Sequence, residues 1–323
     1  MQARALWIVG EQQAELRSEA LPQPKAGEVR VRTEFSGVSR GTESLVLRGG
    51  VPEDQRETMR APFQAGAFPW PVKYGYTSVG RIEAGALPLG TPVFCLFPHQ
   101  DAYVVPVEAV TRVPDGLPLQ RVVLASNLET ALNAAWDSGV GPGDRVSVVG
   151  GGVVGGLTAW LLGRIPGVEV ELIDVRSERR ALADALGVSF ASPEAARPDR
   201  DCVIEASGAS AGLATAIAIA GVEARVVVLS WYGAGAVPVP LGGGFHSRRL
   251  TLRSSQVGRL PPERAPRFDL RRRLATVLSL LTTGPELEVL VDSEGSFAQL
   301  PDDLVRVAGG GGGVLCHRVR YGE

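Results

Sequence analysis

The pattern of hydrophobic and polar positions changes at about residue 119. Before this point, short stretches of alternating polarity such as 29–35 and 104–110 are separated by glycine- and proline-rich turns, which is typical of antiparallel β-structure. After it, apolar strands alternate with helical stretches. The predicted elements are strands at 146–150, 168–174, 202–206 and 224–229, and helices at 153–164, 177–186 and 211–220. This order predicts a parallel sheet that is covered by helices on both faces.

The remaining stretches are less regular. Residues 48–71 are polar and irregular, and we expect a long surface loop or lid there. After residue 231 the alternation fades, although 271–281 has helical spacing. A glycine run at 309–313 is expected to turn the chain into a last strand at 314–321.

Charge and composition exclude several classes of protein. The 33 basic and 35 acidic residues leave a formal net charge of −2, which removes the electrostatic argument for binding nucleic acid or an anionic membrane. Three widely separated cysteines imply no disulfide framework and fit a reducing cytoplasm. The uncharged stretch 147–163 contains clustered glycines, so we expect a soluble protein rather than a membrane helix. The three histidines have no local zinc-binding spacing.

A glycine fingerprint follows the first predicted strand of the α/β region. Gly150 would form a tight turn, Gly152 would let a pyrophosphate approach the backbone, and Gly155 would let the helix pack closely on the sheet. Val153 and Val154 open that helix, whose N-terminus attracts phosphate groups. The alternative is a glycine-rich packing turn without a ligand. The context predicts a dinucleotide site.

Asp174 ends the second predicted strand, where an acidic residue binds the hydroxyls of the adenosine ribose. Its charge would repel a 2′-phosphate, which favours NAD(H) over NADP(H). Arg176, Arg179 and Arg180 follow closely, and an arginine beside the ribose can instead neutralise a 2′-phosphate. The alternative for Asp174 is a strand-end cap without a ligand.

Four segments of the chain resemble the medium-chain dehydrogenase/reductase superfamily. They are FSGVSRGTE at 35–43, KYGYTSVGRI at 73–82, NLETALNAAWDSGVGPGDRVSVVGGGVVG at 127–155 and IEASG at 204–208. The resemblance implies an α/β fold with a Rossmann doubly wound parallel sheet over 119–283. It further implies a GroES-like β-barrel catalytic domain made of 1–118 and 284–323, with the active site in the cleft between the domains.

The positions that hold zinc ligands in zinc alcohol dehydrogenases are different here. By resemblance they correspond to Ser39, to Tyr76 within the triplet Gly75-Tyr76-Thr77, and to a position near Ser126. Hydroxyl groups are poor Zn²⁺ ligands beside thiolate and imidazole. The region of the four-cysteine structural lobe contains no cysteine. We therefore expect no zinc, as in the similar zinc-lacking branch that includes bacteriochlorophyllide hydroxyethyl dehydrogenase.

Without a metal, a donor must meet the negative charge that develops on a carbonyl oxygen during hydride addition. Tyr76 is the first candidate, because it occupies the position of the family's histidine ligand; the alternative is a packed aromatic residue. Ser39 is the second candidate, with a turn-capping hydroxyl as the alternative. His99 titrates in the right range, and the alternative is a structural loop histidine.

Further cofactor contacts are implied by the resemblance alone. Arg40 corresponds to a pyrophosphate-binding arginine, and Thr130 to a residue beside the nicotinamide. Ser207 and Gly208 end a strand at the carboxyl edge of the sheet, where ligands bind. Contacts with the nicotinamide are implied for Ser230, Trp231, Ser254 and Ser255. Each of these residues could equally be an ordinary turn or helix residue.

Three functions remain open on this sequence. The first is a zinc-independent, NAD(H)-dependent enzyme that interconverts an alcohol and a carbonyl, acting on a small molecule larger than a simple alcohol. The second is a reductase of an activated carbon–carbon double bond, as in enone or quinone reductases. The third is a non-catalytic NAD(H)-binding sensor, since fold alone does not establish function.

A homodimer is expected from the stretch that follows Trp231. Pro238 and Pro240 lie on alternate positions there and direct their missing N–H groups to one side, so this strand-like stretch cannot be a central strand but can lie at an edge or a covered interface. An apolar edge is an aggregation hazard unless it is paired, and two-fold pairing is the common solution. We therefore expect pairing near residues 224–250.

Overall fold

The structure is a computed structural model that describes residues 1–308 and 313–322, so most of the glycine run at 309–313 lies outside the described residues. The chain divides by internal packing into two units. The first comprises Met1–Ser126, Leu274–Pro285 and Val291–Glu323, and the second comprises Asn127–Arg273 and Glu286–Leu290. The domain boundaries at 118/119 and 283/284 stay predictions.

The elements are numbered in chain order. The strands are β1 (Gln2–Gly10), β2 (Gln13–Ala20), β3 (Glu28–Ser39), β4 (Ala65–Gly66), β5 (Val72–Lys73), β6 (Ser78–Gly85), β7 (Pro92–Cys95), β8 (Ala102–Pro106), β9 (Val110–Arg112), β10 (Arg145–Val149), β11 (Glu169–Ile173), β12 (Ser189–Ala191), β13 (Arg200–Glu205), β14 (Ala220–Val228), β15 (Thr251–Ser254), β16 (Val291–Ser296) and β17 (Cys316–Arg320). The α-helices are α1 (Arg40–Leu47), α2 (Ala125–Ser138), α3 (Val153–Leu162), α4 (Arg179–Leu186), α5 (Ser210–Ile219), α6 (Leu270–Thr283) and α7 (Leu300–Ala308).

The second unit contains a six-stranded sheet in the order β12-β11-β10-β13-β14-β15, in which every neighbouring pair is parallel. This is the doubly wound order, and it confirms the predicted Rossmann fold. In register, Val149 lies beside Ile173 on one side and beside Glu205 on the other. The loops that follow these three strands therefore meet at the carboxyl edge of the sheet, where ligands bind in this fold.

The predicted edge strand after Trp231 is wrong in its position. The stretch that contains Pro238 and Pro240 forms no strand, and β15 lies at that edge of the sheet instead. Val237 and Val239 pack against the apolar core of the second unit. Proline cannot donate a ladder hydrogen bond, so this stretch contributes side chains to the core rather than backbone to the sheet.

The first unit is β-rich, and it confirms the GroES-like barrel that the resemblance implies. A seven-stranded sheet has the order β16-β17-β3-β6-β7-β9, with β8 also paired to β3, and a smaller sheet has the order β2-β1-β5-β4. The long strand β3 is central, since it pairs with β6, β8 and β17. Its end delivers Ser39 to the start of α1, a helix that the sequence pattern did not predict.

The stretch 48–71 is mostly irregular, in line with its composition. Phe68 within it is buried, and its ring lies 5.7 Å from that of Tyr74. Phe63 keeps 42% of its surface exposed while its ring lies 5.3 Å from that of Phe97. The stretch therefore presents aromatic side chains, some buried and some open to solvent.

No helix among residues 1–308 and 313–322 is both long and apolar enough to cross a membrane. The three cysteines are buried and unpaired with one another.

Candidate active site

The glycine fingerprint of the second unit has the geometry of a dinucleotide-binding turn. Gly150 has a φ of +109°, and a Cβ there would lie 2.7 Å from the backbone of Ala206. A Cβ on Gly155 would lie 1.9 Å from the carbonyl oxygen of Gly150, so α3 can approach the turn only without a side chain. Gly152 precedes α3, and a Cβ there would meet no protein atom within 4 Å. The space beside Gly152 is therefore open at the helix N-terminus, where phosphate groups bind.

Asp174 closes the same turn. Its Oδ2 accepts the Gly151 N–H at 2.6 Å, and its Oδ1 accepts the Arg176 N–H at 2.8 Å. A carboxylate offers about four lone-pair positions, so these bonds orient the group and leave capacity for ribose hydroxyls. Arg179 lies against Gly151, because a Cβ on that glycine would be 3.2 Å from its Cγ. An arginine thus accompanies the carboxylate, as the sequence suggested.

A buried carboxylate that the sequence analysis missed lies at the end of β13. Glu205 is 0% exposed; its Oε1 accepts the Ser207 hydroxyl at 2.6 Å, and its Oε2 accepts the Tyr232 hydroxyl at 2.7 Å. Burial and Glu205 together raise the pKa of Tyr232 above its usual value. The Gly208 N–H donates to the Ser230 hydroxyl at 2.9 Å. The predicted residues of these two strand ends are thus brought together around Glu205.

The predicted contact residue Ser255 is engaged in a different network. Its hydroxyl donates to Asp137 Oδ2 at 2.7 Å, and Asn133 donates to the same carboxylate oxygen at 3.0 Å. Arg273 from α6 bonds Asn133 at 2.9 Å and Glu129 at 3.1 Å. This set stabilises α2 from within the second unit, and a role for Ser255 or Thr130 at the cofactor stays a prediction.

In the first unit, Tyr76 is placed with two hydroxyl side chains. It bonds the side chains of Ser39 and Thr42, and its ring lies edge-on to Tyr74 at 6.1 Å. Burial, with the nearby Glu43 carboxylate, raises the pKa of Tyr76 to about 12, although its two hydroxyl partners act in the opposite direction. The phenol is therefore protonated at neutral pH and can donate a hydrogen bond.

Glu43 and His99 form a buried pair beside this hydroxyl group. Glu43 is 1% exposed and His99 is 0% exposed, and His99 Nε2 lies 3.0 Å from Glu43 Oε2. Oε1 of Glu43 accepts the Ser39 N–H at 2.7 Å. On its other side, His99 Nδ1 lies 2.8 Å from the Ser36 hydroxyl, which is 3.0 Å from the Tyr321 hydroxyl. The sequence analysis singled out His99 but missed its partners, since they are far apart in the chain.

The hydroxyl groups at the family's zinc-ligand positions do not fit Zn²⁺. The hydroxyls of Thr77 and Ser126 bond each other at 2.5 Å, and Ser39 is bonded to Tyr76. Hydroxyls lack the thiolate, imidazole or carboxylate character of zinc ligands. Within the described part of the chain, no group of three or more His, Cys, Asp or Glu residues could hold a metal ion.

The predicted site residues fall into two sets. The first unit contains Ser39, Arg40, Tyr76, His99 and Ser126. The second unit contains Thr130, Gly150, Gly152, Val153, Val154, Gly155, Asp174, Arg176, Arg179, Arg180, Ser207, Gly208, Ser230, Trp231, Ser254 and Ser255. Each set holds one kind of chemistry. The first offers hydroxyl donors, and the second offers a nucleotide-binding turn.

Known proteins match this chain over part of its sequence. No protein-family model matches it. Over 141 residues it is 27% identical to an uncharacterised zinc-type alcohol dehydrogenase-like protein of Haemophilus influenzae. This match covers 39% of the present chain and 40% of the Haemophilus protein. Over 135 residues it is 36% identical to a geraniol dehydrogenase of Castellaniella defragrans. This match covers 40% of the present chain and 35% of the geraniol dehydrogenase. The matched stretch thus spans only about two fifths of these curated relatives.

The fold matches solved structures over nearly the whole chain. A protein described as a short chain alcohol dehydrogenase of Escherichia coli, solved with NADH, superposes with a TM-score of 0.79 at 18% identity over 99% of both chains. A protein of Sinorhizobium meliloti solved with NADP gives a TM-score of 0.79 at 19% identity, also over 99% of both chains. About two fifths of the sequence is thus similar to curated dehydrogenases, and over nearly the whole chain the fold is that of the dehydrogenases solved with NADH and NADP.

Proposed function

We propose that this protein is a zinc-independent, NAD(H)-dependent oxidoreductase that interconverts an alcohol and a carbonyl. The observation that carries the proposal is the glycine turn with Asp174, in which Gly152 faces open space and the carboxylate is oriented by two backbone N–H groups. A nicotinamide cofactor, when bound, supplies the hydride chemistry. Gly150, Gly152 and Gly155 would hold its pyrophosphate, and Asp174 its ribose.

The donor to the substrate oxygen is Tyr76 in this proposal. Its phenol remains protonated at neutral pH, since burial and Glu43 raise its pKa to about 12. Ser39 and Thr42 hold the phenol in place through hydroxyl contacts. A neutral donor can stabilise a developing alkoxide and can return a proton to it. His99 acts behind these groups, through Glu43.

The preference for NAD(H) rests on the charge of Asp174. An anionic 2′-phosphate beside this carboxylate would be repelled. The proteins of similar fold include one solved with NADH and one solved with NADP, so fold likeness alone leaves both cofactors open. Calorimetric titration with NADH and NADPH tests the preference. Asp174→Ala should weaken NADH binding at least about tenfold, which corresponds to about 1.4 kcal/mol. Unchanged NADH affinity would show the ribose assignment to be wrong.

Metal analysis of purified, active protein tests zinc independence. We expect substoichiometric zinc and activity that is unaffected by a chelator. Stoichiometric zinc would refute this part of the proposal.

Turnover of an enone resolves the reaction type, because a saturated ketone indicates a double-bond reductase and an allylic alcohol indicates carbonyl reduction. Tight NADH binding without any turnover of alcohols, ketones or enones would favour a non-catalytic sensor.

The substrate in this proposal is larger than a simple alcohol. The stretch 48–71 supplies Phe63, which is partly exposed, and Phe68, which contacts Tyr74 beside Tyr76. Aromatic surfaces of this kind favour an apolar or conjugated molecule. Comparing kcat/KM for ethanol with that for a bulky aromatic alcohol checks this, and we expect the larger alcohol to be preferred.

A cytoplasmic homodimer completes the proposal. Three buried cysteines that form no disulfide with one another fit a reducing compartment. Among the described residues β15 pairs with β14 alone, and Leu252 on this strand is 39% exposed. An edge strand with an exposed apolar residue is suited to pairing with a second copy across a two-fold axis. Light scattering at micromolar concentration should give the mass of a dimer, and a monomer mass would contradict it.

A further inference from the structure

The pair of Glu43 and His99 is one of the most deeply buried polar contacts of the first unit. Both side chains are essentially inaccessible, and His99 Nε2 lies 3.0 Å from Glu43 Oε2. Space for the imidazole depends on Gly75, where a Cβ would lie 2.7 Å from His99 Cδ2. Gly75 also has a φ of +114°, which side-chain-bearing residues rarely adopt. The backbone is thus shaped to admit this imidazole next to Tyr76.

The hydrogen bonds around the pair can all point towards Glu43. Glu43 accepts from the Ser39 N–H through one oxygen and from His99 Nε2–H through the other. With Nε2 protonated, Nδ1 accepts from the Ser36 hydroxyl, and Ser36 accepts from the Tyr321 hydroxyl. This tautomer is assigned from the network, in which every group has a partner. A buried carboxylate is stable only when it is satisfied in this way.

Glu43 is connected to the proposed donor through the first turn of α1. Its Oε1 accepts the N–H of Ser39, the residue that precedes α1, and so satisfies a backbone donor at the start of the helix. Ser39 and Thr42 are the two residues whose side chains bond the Tyr76 phenol. The carboxylate therefore fixes the backbone that carries both partners of Tyr76, and its charge lies close to the phenol.

We propose that Glu43, held in place by His99, is a positioning residue for the Tyr76 hydroxyl. The carboxylate orients the turn that carries Ser39 and Thr42, the two residues that bond the phenol. His99 holds the carboxylate in one orientation, and Ser36 in turn bonds the other ring nitrogen of His99. This inference rests on the proposed function, because it assumes that Tyr76 serves a substrate oxygen.

Glu43→Gln keeps the size of the side chain but replaces one of its two accepting oxygens with a donating amide nitrogen. The glutamine amide oxygen can still accept the Ser39 N–H, so the start of α1 is retained while the negative charge is lost. We expect kcat to fall at least about tenfold, with the NADH affinity within about twofold of wild type, because the amide NH2 faces His99 Nε2–H, and two donors cannot bond each other. Tyr103→Phe is the matched control. Tyr103 is also fully buried in the first unit, but its hydroxyl bonds a different serine, Ser78, at 3.0 Å.

A second variant tests the role of the imidazole. His99→Ala leaves a cavity of imidazole size beside Glu43, so added imidazole should restore at least about one third of the lost kcat if orientation is what His99 supplies. If Glu43→Gln fails to fold, two other variants still test the network. Imidazole should rescue kcat in His99→Ala, and Tyr321→Phe should lose less kcat than His99→Ala. Wild-type kcat in Glu43→Gln, a similar loss in Tyr103→Phe, or no rescue of His99→Ala would overturn the proposal.

A readout without turnover distinguishes this proposal from the proposed function. In protein labelled at tyrosine Cζ, the Tyr76 resonance is assigned by its absence in Tyr76→Phe. We expect Glu43→Gln to shift this resonance at neutral pH and to leave that of Tyr103 unchanged. A shifted resonance in a protein that turns over no alcohol or carbonyl would support the positioning role and refute the function. An unshifted resonance in an active enzyme would refute the positioning role alone.

Discussion

Substitution by alanine should affect stability at one glycine of this turn and NADH binding at another. A Cβ on Gly155 would lie 1.9 Å from the Gly150 carbonyl oxygen, whereas real Cβ atoms essentially never lie closer than 3.0 Å to such an atom. The helix or the turn must therefore move by about 1.1 Å, the difference between these two distances. A Cβ on Gly152 would meet no protein atom within 4 Å, and its φ of −81° suits alanine. The first substitution strains the fold, and the second changes only the space offered to a ligand.

The magnitudes follow from these contacts. Overpacking of a closely packed position costs about 1–3 kcal/mol. Because each kcal/mol shifts Tm by about 2–4 °C in a domain of this size, Gly155→Ala should lower Tm by roughly 2–12 °C. Gly152→Ala should change the free energy of unfolding by less than about 1 kcal/mol. It should nevertheless weaken NADH binding at least about tenfold, since the methyl group would occupy the space proposed for the pyrophosphate.

Thermal unfolding followed by circular dichroism measures the first effect, and calorimetric titration with NADH measures the second. An unchanged Tm for Gly155→Ala would refute the packing argument. Wild-type NADH affinity in Gly152→Ala, in a variant that melts like wild type, would refute the assignment of the turn to pyrophosphate.

Three further changes have expected outcomes. Tyr76→Phe should lower kcat by about 10²–10⁴-fold with NADH affinity unchanged, because only the donor to the substrate oxygen is removed; steady-state kinetics with wild-type activity would exclude that role. Arg273→Met should lower the free energy of unfolding by about 3–5 kcal/mol in urea titrations, because it leaves the buried Glu129 without its 3.1 Å partner. Adding Glu129→Gln should recover part of that loss, and no recovery would argue against the charge effect. Burial lowers the pKa of His317, so below about pH 6.5 the unfolded chain binds more protons than the folded one. Stability should therefore fall as the pH drops through this range, and the pH dependence of Tm should be shallower in His317→Asn.

Much of the nucleotide-binding unit could be predicted because its signals are local. The strand before Gly150, the helix after Gly152 and the acidic end of the next strand lie within about 30 residues, and the glycines are required by backbone geometry at those positions. The α/β order then leaves few topologies, which is why the parallel sheet could be inferred without contacts. The short strands β12 and β15 escaped prediction because each has too few residues to show a period.

The β-rich unit was predictable in class but not in detail. Its strands pair across long distances in sequence, as β3 does with β17, and nothing local specifies that pairing. The helix α1 is short, and its start depends on a carboxylate contact rather than on strong helix-forming residues. Propensity alone could not place it.

The sequence by itself determined the glycine turn and the α/β order of the second unit, and its resemblance to zinc alcohol dehydrogenases predicts hydroxyl groups, among them the Tyr76 phenol, at the zinc-ligand positions. Only the tertiary structure decided how the buried polar groups are satisfied: Glu43 with His99, which are 56 residues apart, and Glu205 with Tyr232, which are 27 residues apart. A buried charge must find its partner within a few ångströms, wherever the fold supplies one. The residues that aim the proposed donor were therefore outside the reach of any local pattern, while the residues that bend the backbone were not.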